Sequence, residues 1–291
     1  GFEEIVAANP GVDPWLPGEG TRIILPTQFV LPDAPREGLV LNLAAMRLFY
    51  FPTPDTDEPA RVITHPIGIG REGWRTPLGT SRIIEKTEQP YWTVPVSVRR
   101  EHASQGDPLP AVVPPGPDNP LGAYAMRLSL PSYLIHGTNQ PYGVGIRVSH
   151  GCVRLYPEDI ARLFPKVPLD TPVKIVNQPY VAGWLNGQLY LDAHPPLAED
   201  AKRWGSSLKP MELALQAKAP GPDAVDRDKA RRVAQEARGI PVPVSPGSPD
   251  LAKMLKTASR VPSHPPWTLA DSHPPVSGKD DSHPGGYFDG L

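Results

Sequence analysis

Short apolar runs, separated by proline, glycine and polar residues, dominate the chain before Asn177. Runs of this length that are rich in β-branched and aromatic side chains are typical of β-strands. The pattern predicts strand-like runs over residues 39–51, with a turn at 42–45, and over 61–69, 80–86, 124–130, 133–135 and 172–176. We therefore expect a β-rich domain.

Helical patterns are short and lie mainly at the two ends of the chain. Residues 2–9 precede an Asn-Pro-Gly stop and a brief strand at 21–25, and a helix is expected from Pro157 to Phe164, with acidic residues in its first turn. After Ala182 a hairpin is predicted over 184–192 around Asn-Gly, followed by a charged helical region over 197–238.

Proline is the unusual component, with 41 residues in a chain of 291, about three times the usual share of roughly 5%. Dense proline disfavours long helices. We expect an extended or disordered tail over 239–291, where apolar periodicity is weak. The segment 91–121, here called the insertion, is predicted to be irregular. Such a segment either covers a site or shields a sheet edge.

Charge and hydropathy exclude several classes of partner. The formal net charge is −2 and basic residues form only pairs, such as Arg99-Arg100, so nucleic acid is not an expected partner. No apolar run approaches the length of a membrane-spanning helix, and residues 1–9 lack the features of a signal peptide.

Cys152 is the only cysteine, and it lies in Ser149-His150-Gly151-Cys152, sixteen positions after His136. A free cysteine is often a buried apolar side chain. However, polar, glycine-containing surroundings favour a site where backbone approaches a ligand. We therefore interpret Cys152 as a nucleophile.

A thiol nucleophile needs a base and stabilisation of the oxyanion. His150 would share a face with Cys152 if the segment is extended, and His136 could reach the thiol from a neighbouring strand. A group near Gly137 could orient the His136 ring, and the amides of Gly151 and Cys152 could stabilise an oxyanion.

Two metal interpretations compete with this chemistry. Cys152, His136 and His150 have the donor types of a catalytic zinc site, although no second thiol supports them. Ser-His-Pro occurs at 263–265, 272–274 and 282–284, where an unfolded segment would fix no coordination geometry. The glycines at 68, 70 and 79 lack the Lys-Ser/Thr pair of a phosphate loop. We expect no metal and no cofactor.

The segment from His136 to Leu155, HGTNQPYGVGIRVSHGCVRL, resembles the signature of the L,D-transpeptidase family, with its YkuD-type catalytic domain. The similarity continues upstream through TPLGTSRI, YWTVP and PPGPDNPLGAYAMRL, and it covers residues 38–178. Residues 1–27 resemble the second half of a LysM module, and VAGWLNGQLYLDAHPPL resembles the small C-terminal domain of periplasmic members.

The resemblance implies a mainly β fold with short helices (α+β), divided into a partial LysM segment (1–27), a catalytic domain (38–178), a small α/β domain (179–238) and a proline-rich tail (239–291). It implies Cys152 as nucleophile and His136 as proton donor and acceptor, oriented by the Gly137 carbonyl. Supporting or substrate-contacting residues are the following: His150, Gly151, Ser149, Arg154, Tyr142 and Trp92.

The implied reaction takes place in the periplasm on a peptidoglycan tetrapeptide stem, which becomes a thioester on Cys152 as D-alanine leaves. The acceptor is either a lysine of an outer-membrane lipoprotein or the diamino acid of a second stem. Alternatives are an L,D-carboxypeptidase or cysteine amidase, which passes the acyl group to water, and a non-catalytic peptidoglycan-binding protein.

Overall fold

A computed structural model describes residues 2–14, 16–53, 60–263 and 287–288. The chain divides into two compact units. One unit comprises Ala34–Val176 with Ser272–Leu291, and the other comprises Gly1–Asp33 with Asn177–Asp271. We call them the sheet unit and the terminal unit.

The described helices are short, as the proline content predicts. They are α1 (Phe2–Ala8), α2 (Val96–Ser104), α3 (Pro157–Leu163), α4 (Ala198–Trp204), α5 (Lys209–Gln216), α6 (Arg227–Glu236) and α7 (Leu251–Thr257). In the described ranges, none has the length and apolar character needed to cross a membrane.

The strands account for most of the sheet unit. They are β1 (Arg22–Ile23), β2 (Gly38–Asn42), β3 (Arg47–Phe51), β4 (Ile63–Pro66), β5 (Ile69–Gly70), β6 (Gly79–Glu88), β7 (Tyr91–Thr93), β8 (Val112–Val113), β9 (Tyr124–Leu128), β10 (Leu134–His136), β11 (Arg147–Ser149), β12 (Val153–Arg154), β13 (Pro172–Val176), β14 (Tyr180–Leu185), β15 (Gln188–Ala193), β16 (Val242–Pro243), β17 (Val261–Pro262) and β18 (Tyr287–Phe288).

An eight-stranded mixed sheet forms the body of the sheet unit, in the order β12-β10-β9-β6-β13-β2-β3-β4. The pairs β10–β12 and β13–β2 are parallel, and the other neighbours are antiparallel. All residues of β2 are buried. Its continuous apolar run, Leu39–Leu41, is the pattern expected of a strand covered on both faces. The sequence prediction of a β-rich fold with short helices is confirmed.

The insertion is more regular than the sequence suggested. Its strands β7 and β8 pair antiparallel, and β18 pairs parallel with β7. Between β7 and β8 lies α2, which buries Val98. The prediction of an irregular segment is therefore wrong. The sequence did not reveal α2 because the helix has little apolar periodicity and buries a single apolar residue.

In the terminal unit, a sheet of order β14-β15-β16 packs against α5 and α6. The predicted hairpin is present as β14 and β15, which are joined at Asn186-Gly187. The side chain of Asp226 caps α6 by accepting a hydrogen bond from the Lys229 amide at 2.9 Å.

The expectation of a disordered tail from residue 239 is wrong for residues 239–263. Strand β16 adds to β15, α7 follows, and β17 pairs antiparallel with β1 near the beginning of the chain. These residues order because partners distant in sequence complete their hydrogen bonds and cover their apolar side chains. The Ser-His-Pro repeats at 272–274 and 282–284 lie outside the described residues.

Candidate active site

The parallel pair β10–β12 brings the two halves of the motif together. Its register places Ile135 opposite Val153 and His136 opposite Arg154. Cys152 directly precedes β12 and so lies next to Leu134, on the same face as His136 and Arg154, since side chains alternate along a strand. Diagonal neighbours on a sheet face are about 7–8 Å apart between Cα atoms. The thiol and the imidazole are therefore within reach of one substrate.

The segment Ser149–Cys152, here called the motif loop, connects β11 in a separate two-stranded sheet with β12. Gly151 has a φ of +113°, and a Cβ there would lie 2.8 Å from the Tyr133 ring. Both observations explain the glycine, because a side chain would meet backbone strain and a ring. The motif loop is therefore not the extended segment that would put His150 on the face of Cys152.

Ser149 holds the motif loop from inside. Its hydroxyl donates to the Cys152 carbonyl at 2.6 Å and accepts from the Gly151 amide at 3.1 Å. Ser149 is only 2% exposed, so it supports the loop rather than lining an open surface. The Gly151 amide, expected to meet an oxyanion, is engaged within the loop, which leaves the Cys152 amide as the donor to consider.

A second hydroxyl supports the motif loop from the segment after β5. Thr76, which is buried, donates to the Gly151 carbonyl at 2.8 Å and accepts from the Gly70 amide at 3.1 Å. A Cβ at Gly70 would lie 1.9 Å from the Trp74 carbonyl oxygen. Only glycine lets these backbones approach so closely. These residues lie in the glycine-containing stretch that lacks the Lys-Ser/Thr pair of a phosphate loop. They form the cradle of Gly151, in which the Thr76 hydroxyl joins the Gly70 amide to the Gly151 carbonyl.

The Cys152 side chain is half-buried and packs beside Leu121, Ala125 and Leu134. Burial in this apolar setting raises the pKa of the thiol to about 11, although the backbone of Leu134 and the charge of Arg154 act in the opposite direction. At neutral pH the nucleophile is therefore a protonated thiol, which needs a base to react.

His136 is the better placed of the two candidate bases. It is 3% exposed, and its Nδ1 lies 2.6 Å from the Gly137 carbonyl oxygen. Because a carbonyl only accepts, Nδ1 carries the hydrogen and Nε2 keeps its lone pair. Burial, followed by the charge of Arg154, lowers the pKa of His136 to about 3. At neutral pH the ring is uncharged and able to accept a proton.

Arg154 supplies the positive charge at this face. Burial lowers the pKa of its guanidinium, which interacts with Cys152 and Tyr142, yet an arginine stays protonated at neutral pH. Its buried Nε has no hydrogen-bond partner among the described residues. Tyr142, in a short turn beside it, is 63% exposed. A guanidinium charge beside an exposed aromatic ring is expected of a surface that binds an anionic peptide.

The insertion packs against the same apolar cluster as the Cys152 side chain. Trp92 on β7 packs against the cluster of Leu121, Ala125 and Leu134 that Cys152 joins. The indole is half-buried. One wall of the site therefore comes from the insertion.

His150 turns away to another set of partners. Its Nε2 lies 2.9 Å from a Glu101 carboxylate oxygen and 3.1 Å from Arg71 Nη2, and Trp74 contacts the ring edge-on. In the described part of the chain, no three His, Cys, Asp or Glu side chains are arranged to hold a metal ion. Because His150 is engaged by Glu101 and Arg71, the zinc interpretation has no third ligand there.

Comparison with known proteins identifies the family of the chain. The YkuD family model, which describes the L,D-transpeptidase catalytic domain, matches residues 36–175. The probable L,D-transpeptidase ErfK/SrfK of Escherichia coli (strain K12) is 42% identical over 253 residues, which are 85% of this chain and 80% of the relative. The chain belongs to the L,D-transpeptidase family.

Other similarities are of the same kind. The probable L,D-transpeptidase YbiS of the same strain is 42% identical to this transpeptidase over 247 residues, which are 83% of this chain and 79% of the relative. An L,D-transpeptidase structure from Mycobacterium smegmatis is 19% identical, with a TM-score of 0.36, and the match covers 48% of this chain and 58% of that one.

Several residues of the transpeptidase site were missed by the sequence interpretation. Thr76 and Gly70 lie in a glycine-containing stretch that the sequence analysis considered only to exclude a phosphate loop. Arg71, Trp74 and Glu101 were not predicted to belong to a site. A Gly-x₅-Thr spacing is too common to signal a cradle. Glu101 belongs to a helix that the sequence did not predict, so no local pattern could have connected it to His150.

Proposed function

We propose that this L,D-transpeptidase acts on a peptidoglycan tetrapeptide stem, with Cys152 as nucleophile and His136 as general base and acid. The observation that carries the proposal is the placement of the thiol, a neutral imidazole and the Arg154 guanidinium on one sheet face in a member of this family. The chain's only cysteine is the one nucleophilic thiol available for the reaction.

Acylation proceeds in two proton transfers. As Sγ attacks the carbonyl carbon that precedes the terminal D-alanine, the thiol proton moves to His136 Nε2. The tetrahedral intermediate collapses, its C–N bond breaks, and the imidazolium returns the proton to the departing amine of D-alanine. Because thiol and imidazole both rest uncharged, proton transfer accompanies attack rather than preceding it.

Deacylation reverses the use of these groups. An amine attacks the thioester carbonyl and gives a proton to His136, after which the C–S bond breaks and the sulfur regains the proton. The Cys152 amide is the backbone donor for the oxyanion in both steps. Arg154 supplies the positive charge that attracts the carboxylates of the stem, and Tyr142 and Trp92 flank the peptide.

Two acceptor amines fit this chemistry, the lysine side chain of a lipoprotein and the side-chain amine of a second stem's diamino acid. The first product anchors a protein to the wall, and the second is a 3,3 cross-link. Since peptidoglycan lies outside the cytoplasmic membrane, the proposed substrate places the enzyme in the periplasm.

Intact-mass analysis with a tetrapeptide stem tests the proposal. Wild type is expected to gain an acyl adduct with release of D-alanine, and added amine is expected to convert the adduct to an amide. Cys152→Ala removes the nucleophile and His136→Gln the base, so neither is expected to form the adduct at a comparable rate. An adduct that persists in Cys152→Ala contradicts the proposal, and release to water alone in the presence of either amine identifies a carboxypeptidase.

A further inference from the structure

The helix α2 of the insertion is tied to the motif loop through a single carboxylate. Glu101 forms an ion pair with Arg71 and hydrogen-bonds His150 Nε2 at 2.9 Å. Each of the three side chains is between 25% and 37% exposed, so the contacts are partly shielded from water. A shielded carboxylate between two partners is a defined geometry rather than a loose surface pair.

The chemistry of the three groups determines which atom carries the hydrogen. Hydrogen bonds, from Arg71 first and then from His150, lower the pKa of Glu101 to about 2, so the carboxylate is ionised and only accepts. Burial lowers the pKa of His150, which keeps its ring neutral at pH 7. The Nε2 atom of His150 faces both a Glu101 oxygen, at 2.9 Å, and the donor Arg71 Nη2, at 3.1 Å. We assign the hydrogen to Nε2, because the carboxylate is the nearer partner and can only accept. Arg71 then donates to the other carboxylate oxygen.

These contacts continue into the motif loop. The Arg71 amide donates to the Ser149 carbonyl at 2.9 Å, and the Trp74 ring contacts His150 with ring centroids 4.9 Å apart. His150 is thus held on one side by Glu101 and on another by Trp74. Its own backbone lies between Ser149 and Gly151, two residues before Cys152.

We propose that Glu101 is a positioning residue of the transpeptidase site, which acts through His150 to hold the motif loop in its reactive geometry and to join the insertion to it. The proposal rests on Cys152 being the nucleophile. It assigns a function to the helix α2 and to His150, which does not serve as the base for the thiol. Arg71 keeps Glu101 ionised and oriented.

A double-mutant cycle tests this action. Glu101→Gln keeps the size of the side chain but removes the charge, and it is expected to lower kcat for the tetrapeptide by up to about 100-fold, as small misplacements in active sites do. His150→Asn is expected to cost a similar factor. In the His150→Asn background, adding Glu101→Gln is expected to change kcat by less than about twofold, because the shared interaction is already absent.

The chain offers a matched control in the same segment. His102 and Asp107 form a second His–carboxylate pair at the end of α2, with nitrogen and oxygen 3.1 Å apart, and the Asp107 side chain is 75% exposed. Asp107→Asn is expected to leave kcat and the melting temperature at wild-type values. Equal losses in Asp107→Asn and Glu101→Gln, or independent multiplicative losses in the double variant, would overturn the proposal.

A spectroscopic readout separates this inference from the proposed function. Long-range ¹H–¹⁵N correlation spectra distinguish the two neutral tautomers of an imidazole, and His150→Asn assigns the signal. Wild type is expected to show His150 as the Nε2–H tautomer, and Glu101→Gln is expected to shift that signal while Asp107→Asn does not. If His150 gives the same spectrum in wild type and Glu101→Gln, the role of Glu101 is refuted, even if turnover is normal. If the expected shift is seen but wild type shows no turnover, only the proposed function is contradicted.

Discussion

At the scale of single residues, burial governs the chemistry of the site. The apolar surroundings of Cys152 and His136 shift their pKa values in opposite directions, the thiol upward and the imidazole downward. The resting pair is therefore neutral. A thiol that rests in its protonated form is a weak nucleophile, which fits the proposed mechanism, in which proton transfer to His136 accompanies attack.

The buried, uncharged ring of His136 makes the folded chain less stable at acid pH. The unfolded chain protonates His136 near its usual pKa of about 6.5, whereas the folded chain does so only near 3. Between these values the unfolded state binds more protons, so stability falls as the pH is lowered. The contribution lost between pH 8 and pH 5 is about 2 kcal/mol.

Comparison of wild type with His136→Gln checks this expectation. Urea unfolding at pH 8 and pH 5 is followed by labelling of Cys152, the only cysteine, with a disulfide reagent that remains active at pH 5. The drop in unfolding free energy is expected to be smaller in His136→Gln by about 2 kcal/mol. Equal drops in both proteins would show that the ring titrates normally in the folded state.

At the scale of elements, the site depends on which strands are neighbours. After β10 the chain leaves the main sheet, and β11 pairs with β5 in a second sheet. The motif loop then returns the chain to the main sheet at β12, beside β10. The fifteen residues between His136 and Cys152 thus pass through a second sheet. The insertion then adds a wall through Trp92 and a tether through Glu101.

Trp92 is expected to shield the thioester from water. Trp92→Leu keeps an apolar side chain but removes most of the ring that packs against the cluster shared with Cys152, so the ratio of hydrolysis to transfer is expected to rise several-fold. The measurement is product analysis at a fixed concentration of acceptor amine. Val112→Ala, on the neighbouring strand β8 and 38% exposed, is the control that leaves the ratio unchanged. An unaltered ratio in Trp92→Leu would mean that the insertion only covers the sheet edge.

At the scale of the whole molecule, residues near the start of the chain meet residues after 239 within the terminal unit. Ala8, Ile24 and Ile240 form a buried cluster, with Leu251 and Leu255 packed against it. The segment that resembles half of a LysM module is therefore a structural part of the terminal unit. Its helix α1 contributes Ala8 to the cluster against which α7 packs, and its strand β1 pairs with β17.

Asn9 provides a specific test of this arrangement. Its amide nitrogen donates to the Ile5 and Ile24 carbonyls at 2.9 Å, and its oxygen accepts from the Ile24 amide at 2.7 Å. Asn9→Ala leaves buried backbone groups unpaired and is expected to destabilise the terminal unit by about 1–3 kcal/mol.

Calorimetry combined with Cys152 labelling separates the two units. In Asn9→Ala, one thermal transition is expected to move down while the transition that exposes Cys152 and the turnover at 25 °C stay unchanged. Glu3→Gln, an exposed change on the same helix, is the control. A coupled loss of turnover would show that the sheet unit depends on the terminal segment.

Much of this protein could be predicted locally. The strands β2, β3, β6, β9, β10 and β13, the helix α3 and the hairpin β14–β15 follow from apolar runs bounded by turn residues. The nucleophile stood out because it is the only thiol and lies among polar residues and glycine. By contrast, α2 and α7 were missed, since neither has strong periodicity and both are stabilised by contacts that come from elsewhere in the chain.

The sequence by itself determined the β-rich class and the family signature, and it predicted Cys152 and His136 as the reactive pair, because composition, period and local spacing are properties of neighbouring residues. The tertiary structure alone decided the direction in which His150 faces, the cradle of Thr76 and Gly70, and the joining of the first residues to the last ones of the terminal unit. Each of these depends on backbone groups and charges far apart in the chain, whose hydrogen bonds are satisfied only when the sheets have formed.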